Sequence, residues 1–237
     1  MTPRENCCIS SKTMPIRTTP LVTKEIYHIV NRGVNHIPIF EDQRDYNRFL
    51  QISSYYQFVE PPIKYSLFTK LPAYTRETLQ KELNQKNHKL ISLLAFCLMP
   101  NHFHLLLRQE KNEGISRFLA NIQNSYTRYY NTRHGRIGHL FQGQFKAVRV
   151  ASENQLLHTS RYIHLNPYSS FVVKSFDQLK EYPWSSLSQY IDGAQGLCDR
   201  RPVLSNFSSK AKYLEFVENQ KDYQMTLAQI KHLLLEK

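Results

Sequence analysis

The chain has 237 residues, enough for one well-buried domain with extensions, and its 41% hydrophobic and 21% charged residues are typical of a globular protein. No apolar run approaches the roughly 18 residues that a membrane helix needs, and the N-terminus lacks an apolar signal core, so the chain is expected to act in the cytoplasm. Lys and Arg outnumber Asp and Glu by 31 to 19, giving a net charge of +12 that favours a polyanionic partner but does not separate DNA, RNA and anionic lipid.

The first 90 residues contain a tail, a strand, a helix and an insertion. Residues 1–23 are polar and without periodicity, which predicts a flexible tail, and Met14 is an alternative start. Strand character over 25–31 ends in a turn at Arg32-Gly33, and three-four spacing predicts a helix over 42–58 capped by Asp42. Prolines interrupt residues 59–90, which we interpret as an insertion with a short helix at 75–84.

The middle of the chain continues with two strands, a helix and a further strand. Residues 90–98 and 102–108 are apolar strands joined by a turn, followed by a helix over 114–131 and a fourth strand over 144–150. Ser152 and Gln155 form a capping-box pattern that starts another helix, which Asn166-Pro167 is expected to end. The order β-α-β-β-α-β-α predicts an α+β, ferredoxin-like domain, with two helices on one face of an antiparallel sheet and the last helix on the other. A C-terminal helix is expected from about residue 210, in a helical appendage.

Two histidines on the third predicted strand are the first candidates for chemistry. His102 and His104 are two residues apart, so their side chains point to the same face of the sheet and can share one metal ion. A metal bound by two imidazoles keeps open positions for phosphate oxygens. The pair alone is weak support, because two histidines can also line a half-exposed sheet face.

The helix that follows the fourth strand carries a second set of candidates. His158, Tyr162 and Asn166 lie four residues apart and therefore on one face of the helix. Tyr162 can attack a phosphodiester as a covalent nucleophile, and the Asn166 side chain can offer its oxygen to the metal. Helix spacing alone favours Tyr162 as a core aromatic residue with its hydroxyl at the rim. As a nucleophile, a phenol with an ordinary pKa of about 10 needs a metal or cations nearby to stabilise its charged form.

Four motifs in order resemble a known family. They are Tyr27-His28-Ile29-Val30-Asn31-Arg32-Gly33, Leu98-Met99-Pro100-Asn101-His102-Phe103-His104-Leu105-Leu106, Gly138-His139-Leu140-Phe141-Gln142-Gly143 and Arg161-Tyr162-Ile163-His164-Leu165-Asn166-Pro167. Together with the Tyr-Pro-Trp-Ser-Ser stretch at 182–186, they resemble the single-tyrosine HUH transposases of the bacterial insertion-sequence type, particularly the REP-associated tyrosine transposases. The resemblance covers about residues 24–191, leaving 1–23 as a tail and 192–237 as a helical extension.

The resemblance implies a ferredoxin-like HUH domain that binds hairpins in single-stranded DNA and cleaves beside them. It implies His102, His104 and Asn166 as ligands of Mg²⁺ or Mn²⁺, and Tyr162 as the nucleophile that forms a 5′-phosphotyrosine link and leaves a 3′-hydroxyl. No small-molecule cofactor is expected, and monomer and dimer both stay open. One departure is Gln144, where the family often has arginine.

The cations most suited to contact DNA are interleaved with aromatic residues along the chain. They are Arg32, Arg128, Arg136, Lys146, Arg149 and Arg161. Two alternatives to an active bacterial transposase stay open: a domesticated protein that binds repeated hairpins without transposing DNA, and a metal-dependent nuclease that uses water.

Overall fold

The computed structural model describes residues 20–193 and 196–221, so most of the predicted tail and the end of the C-terminal extension lie outside the described residues. The strands are β1 (Ile26–Arg32), β2 (Ile91–Met99), β3 (His102–Gln109) and β4 (Lys146–Val150). The helices are α1 (Gln43–Tyr56), α2 (Tyr65–Phe68), α3 (Ala73–Lys86), α4 (Gly114–Arg133), α5 (Glu153–Ser169), α6 (Phe176–Lys180), α7 (Leu187–Ile191), α8 (Arg201–Leu204) and α9 (Lys210–Glu218). None of the described helices is long and apolar enough to cross a membrane.

The four strands form one sheet in the order β2-β3-β1-β4. Every neighbouring pair is antiparallel. This order, with helices between the strands, is the split βαβ arrangement that the sequence predicts, and the α+β fold prediction is confirmed.

Each face of the sheet packs against different helices, because successive strand residues point to opposite sides. On one face, Phe103 and Leu105 pack in a core with Phe49 of α1 and Ile122 of α4. On the other face, Leu106 packs with Ile163 of α5. The candidate tyrosine helix therefore covers the face that the α1 and α4 layer leaves free.

The helix starts agree with the capping residues predicted from the sequence. Oδ1 of Asp42 accepts from the backbone N–H of Arg44 at 2.9 Å, and Oγ of Ser152 accepts from the backbone N–H of Gln155 at 3.2 Å. The predicted end of α5 at Asn166-Pro167 is wrong, because the helix continues to Ser169. Pro167 lies in the last turn, where the loss of a single N–H donor is tolerated, and its carbonyl accepts from Val172 at 2.9 Å.

The insertion folds against α1 rather than forming a loose loop. Its short helix α2 was not predicted, whereas α3 extends the predicted 75–84 segment in both directions. Phe68 of α2 packs against Tyr55 of α1, with ring centroids 4.7 Å apart. The hydroxyl of Tyr55 donates to the carbonyl of Ile63 at 2.7 Å, which fastens the start of the insertion to α1.

A buried polar network holds α5 in place. The ring nitrogens of His164 are 2.7 Å from the hydroxyls of Tyr213 in α9 and of Ser186. Ser186 in turn accepts from the backbone N–H of Phe96 in β2 at 2.9 Å. These hydrogen bonds to the C-terminal segments and to the central sheet fix the middle of the helix, between Tyr162 and Asn166.

Candidate metal and nucleophile site

Three histidines lie together on the sheet face that α5 covers. His102 and His104 are on β3, with ring centroids 5.0 Å apart, as the alternation of strand residues predicts. His28 of the adjacent strand β1 stacks on His104, with ring centroids 5.1 Å apart. In the antiparallel pairing of β1 with β3, Val30 lies opposite His104. His28 is two residues from Val30 on β1, so it points to the same face of the sheet as His104.

Helix α5 brings Tyr162 and Asn166 over these histidines. The Tyr162 ring is 5.6 Å from that of His104 and 5.9 Å from that of His28, both in edge-on orientation. The Asn166 side chain lies close enough to both His102 and Tyr162 to affect the pKa of each. The structure therefore places the four residues predicted for metal binding and nucleophilic attack next to one another, within one chain.

His158 is not part of this cluster, although it shares its helix face in the sequence pattern. Its ring contacts Arg161 and packs 5.9 Å from Phe216 of α9. Arg161 itself is only 6% exposed, and its guanidinium lies 4.1 Å from the Phe216 ring centroid. The prediction that Arg161 contacts DNA does not agree with this position, because α9 covers the side chain.

Hydrogen bonds fix which nitrogen of each candidate ligand is free. Nδ1 of His102 is 2.7 Å from Oδ1 of Asn101, and because this oxygen only accepts, Nδ1 donates and Nε2 keeps its lone pair. Nδ1 of His104 is 2.9 Å from Nε2 of His28, so the two nitrogens share a single proton. When Nδ1 of His104 donates this proton, its Nε2 also has a free lone pair.

Burial keeps the three imidazoles in their uncharged form. It lowers the pKa of His28 and of His102 to about 4. It also lowers the pKa of His104 well below its usual value, and the neighbouring His102 and His28 act in the same direction. Neutral imidazole is the form that binds a metal, so these histidines need no deprotonation at neutral pH.

Burial also disfavours the charged form of Tyr162, which for a phenol means a higher pKa. The neighbouring Asn166 side chain acts in the other direction and lowers this pKa. The phenol is thus protonated in the free protein and becomes a good nucleophile only when positive charge comes close.

The donor set fits a divalent cation. Two neutral Nε2 atoms and the Asn166 side-chain oxygen would hold it, while leaving positions open for phosphate oxygens. Among the described residues, no cluster of three or more His, Cys, Asp or Glu side chains has a metal-binding arrangement, and no carboxylate is bonded to these histidines. A cation held without carboxylates keeps its full charge for the phosphate.

The remaining cations predicted to contact DNA are spread over different surfaces. Arg32 pairs with His102 across the strands, and Lys146 lies on the same face in the edge strand β4. Arg149 points to the opposite face and forms an ion pair with Glu25 at 2.9 Å. Arg136 lies in the loop after α4 and bonds Asn131, and Arg128 lies on α4 itself. Only Arg32 and Lys146 of this set are close to the histidines in the sheet.

Sequence reasoning missed two residues of the site, His28 and Asn101. Both lie in the motifs that carry the family resemblance, but each was treated as part of a strand or turn. The available signal for His28 was the alternation of β1, which puts His28 and Arg32 on one face, together with pairing to the strand of His102. The register needed to use that signal is visible only in the sheet.

The fold and the site together define a class: an α+β domain with an H-x-H pair on its central sheet and a tyrosine on a covering helix. A family model described as "Transposase IS200 like" matches residues 22–166, which is more than half of the chain. The chain therefore belongs to the IS200-like transposase family.

Comparison with solved structures gives a match to a REP-associated tyrosine transposase bound to a REP hairpin. The identity is 12%, the match covers 78% of this chain and 90% of that chain, and the TM-score is 0.49. No curated protein matches the chain.

Proposed function

We propose that this transposase cleaves and rejoins single-stranded DNA beside a hairpin, with Tyr162 as nucleophile and a divalent metal at His102, His104 and Asn166. The observation that carries the proposal is the position of Tyr162, whose ring is edge-on to His104 at 5.6 Å. Asn166 links the two halves of the site, because its side chain neighbours both His102 and Tyr162.

Each side chain has a distinct task in this proposal. Nε2 of His102 and Nε2 of His104 would hold the metal, while Asn101 and His28 bond the opposite nitrogens and orient the rings. Mg²⁺ or Mn²⁺ bound there would supply positive charge to polarise the scissile phosphate. Arg32, beside His102, and Lys146 bind phosphates of the same strand.

The covalent step exchanges one phosphate ester for another. The Tyr162 oxygen attacks phosphorus and forms a 5′-phosphotyrosine bond, while the bond from phosphorus to the 3′ oxygen breaks. The leaving 3′ oxygen ends as a hydroxyl, so the phenol proton is accounted for, and no water or high-energy cofactor is consumed. The same step in reverse, with a different 3′-hydroxyl, joins two DNA segments. The partial burial of Tyr162 would limit the access of water to this bond, which would favour rejoining over hydrolysis.

The test is the covalent product. Wild-type protein incubated with 5′-end-extended hairpin DNA and Mn²⁺ should form an adduct that migrates slowly in a denaturing gel, and Tyr162→Phe should form none. Tyr168→Phe, on the same helix, is the matched control and should retain the adduct. Cleavage that persists in Tyr162→Phe would refute the nucleophile assignment and indicate attack by water. Hairpin binding without cleavage in any divalent metal would instead favour a binding protein.

A further inference from the structure

A basic groove lies on the far side of the molecule from the histidines. It has a volume of about 720 Å³ and is formed by α1, the insertion helix α2 and α4. Its cationic lining residues are Arg48, Lys64, Lys70, Arg128 and Arg133, and no Asp or Glu from the described part of the chain lines it. The other polar groups of the lining are neutral side chains of Ser, Thr, Asn and Tyr.

Most of this positive charge is not neutralised by ion pairs between residues that the structure describes. Arg133 is the exception, because it forms ion pairs with Asp42 and with Asp45, the latter at 2.6 Å. For the other four cations, no ion pair occurs among the described residues. Four like charges in one concave surface repel one another, so an anionic ligand would relieve a repulsion as well as form new contacts.

Arg48 is already positioned for such a ligand. Its guanidinium carbon lies 4.7 Å from the Tyr129 ring centroid and 5.3 Å from that of Tyr65. Tyr129 is itself fixed by a hydrogen bond from its hydroxyl to Asp45 at 3.1 Å. An arginine whose guanidinium already contacts two aromatic rings loses less side-chain freedom on binding, and its planar donor fork suits phosphate oxygens.

The groove is separate from the proposed catalytic site. Helices α1 and α4 cover the sheet face that carries Phe103, whereas the histidines and α5 are on the opposite face. Helix α2 and the Lys64–Lys70 wall of the groove belong to the insertion, for which the sequence offered no role.

We propose that the groove between α1, α2 and α4 binds the phosphate backbone of a second DNA segment, away from the strand that Tyr162 cleaves. The choice of DNA rests on the proposed function, whereas the choice of a phosphate chain rests on the charges and shape of the groove. Tyr56 and Tyr65 are almost fully buried, so the groove offers few faces for base stacking and recognises the backbone rather than the base sequence.

The test compares two triple variants with the same net charge. Lys64→Gln/Lys70→Gln/Arg128→Gln removes three charges from the groove. Lys81→Gln/Lys111→Gln/Lys174→Gln removes three exposed charges that do not line it. Binding of a fluorescein-labelled hairpin with a 30-nucleotide single-stranded flank is measured by anisotropy in EDTA at several salt concentrations, after circular dichroism has shown that both variants are folded.

We expect the groove variant to bind the long flank more weakly than the control variant. The slope of log affinity against log salt should fall by about 2, because each lost contact with single-stranded DNA contributes about 0.7. Equal affinities and slopes in the two variants would overturn the proposal, as would a loss seen with RNA of the same sequence but not with DNA. Because EDTA prevents cleavage, this result does not depend on the adduct assay, and either proposal can fail alone.

Discussion

Replacement of His28 tests which of two roles this residue has: orienting the ring of His104, or binding the metal itself. In the structure, Nε2 of His28 lies 2.9 Å from Nδ1 of His104 and not beside the free nitrogen of that ring. His28→Leu leaves the His104 nitrogen without a partner in a buried place. His28→Gln keeps a carbonyl oxygen that accepts the same proton, since the end of a glutamine reaches about as far as Nε2.

The expected effect follows from the free-energy cost of leaving Nδ1–H of His104 without its hydrogen-bond acceptor, His28. An unsatisfied buried N–H costs about 1–3 kcal/mol, and loss of the group that orients a metal-bound histidine weakens binding by about 10–100-fold. The two figures agree, because tenfold in affinity corresponds to about 1.4 kcal/mol. We therefore expect His28→Leu to raise the Kd for Mn²⁺ by about 10–100-fold and His28→Gln to raise it by less than about fivefold.

Titration of Mn²⁺ followed by electron paramagnetic resonance measures this affinity without DNA and without catalysis. Wild-type affinity in His28→Leu would refute the positioning role. Equal and large losses in both variants would also refute it, because glutamine replaces a residue that only accepts the proton of His104.

Three further changes test other parts of the argument. Asn166→Ala should slow adduct formation by about 10–100-fold and weaken Mn²⁺ binding, because it removes the proposed third metal ligand, which neighbours both His102 and Tyr162; an unchanged rate in a gel assay would contradict this. Burial lowers the pKa of His164 to about 3, so its stabilising effect is complete above pH 6.5 and is lost as the pH falls towards 3. In His164→Gln, the slope of the unfolding free energy against pH between 4 and 6 should be smaller by about 1.4 kcal/mol per pH unit. A slope equal to that of the wild type, measured by urea unfolding, would contradict this role of His164. Gly33→Ala should destabilise the fold by about 1–3 kcal/mol, because a Cβ would lie 2.3 Å from the carbonyl oxygen of Ile37; a Tm equal to that of the wild type would show that the turn adapts.

The sequence predicts the sheet and the main helices because their signals are local. Alternation marks the strands, three-four spacing marks α1 and α4, and Asp42 and Ser152 mark helix starts. The positions of His102 and His104 on one face follow from the same alternation. Helix α2 escaped prediction because it is only four residues long and follows two prolines, so its amphipathic pattern is too short to detect.

The parts that the sequence did not predict depend on contacts between distant segments. His28 and His104 are 76 residues apart, and only the pairing of β1 with β3 brings their rings together. The burial of Arg161 depends on α9, which lies beyond the family motifs. The extension of α5 past Pro167 likewise depends on the surrounding core, which outweighs the local preference of proline to end a helix.

The hydrogen bonds that hold the middle of α5 in place affect what happens to the DNA after the strand is cut. Under the proposed mechanism, the 5′ end becomes part of a side chain two residues from His164, which is fully buried and bonded to Tyr213 and Ser186. Because this end is covalently attached to the helix, its effective concentration at the histidines stays high even when the rest of the DNA moves away. The free 3′ end has no such tether. An exchange of partners therefore requires only the 3′ end to be replaced, and the protein keeps the broken strand from being lost while this takes place.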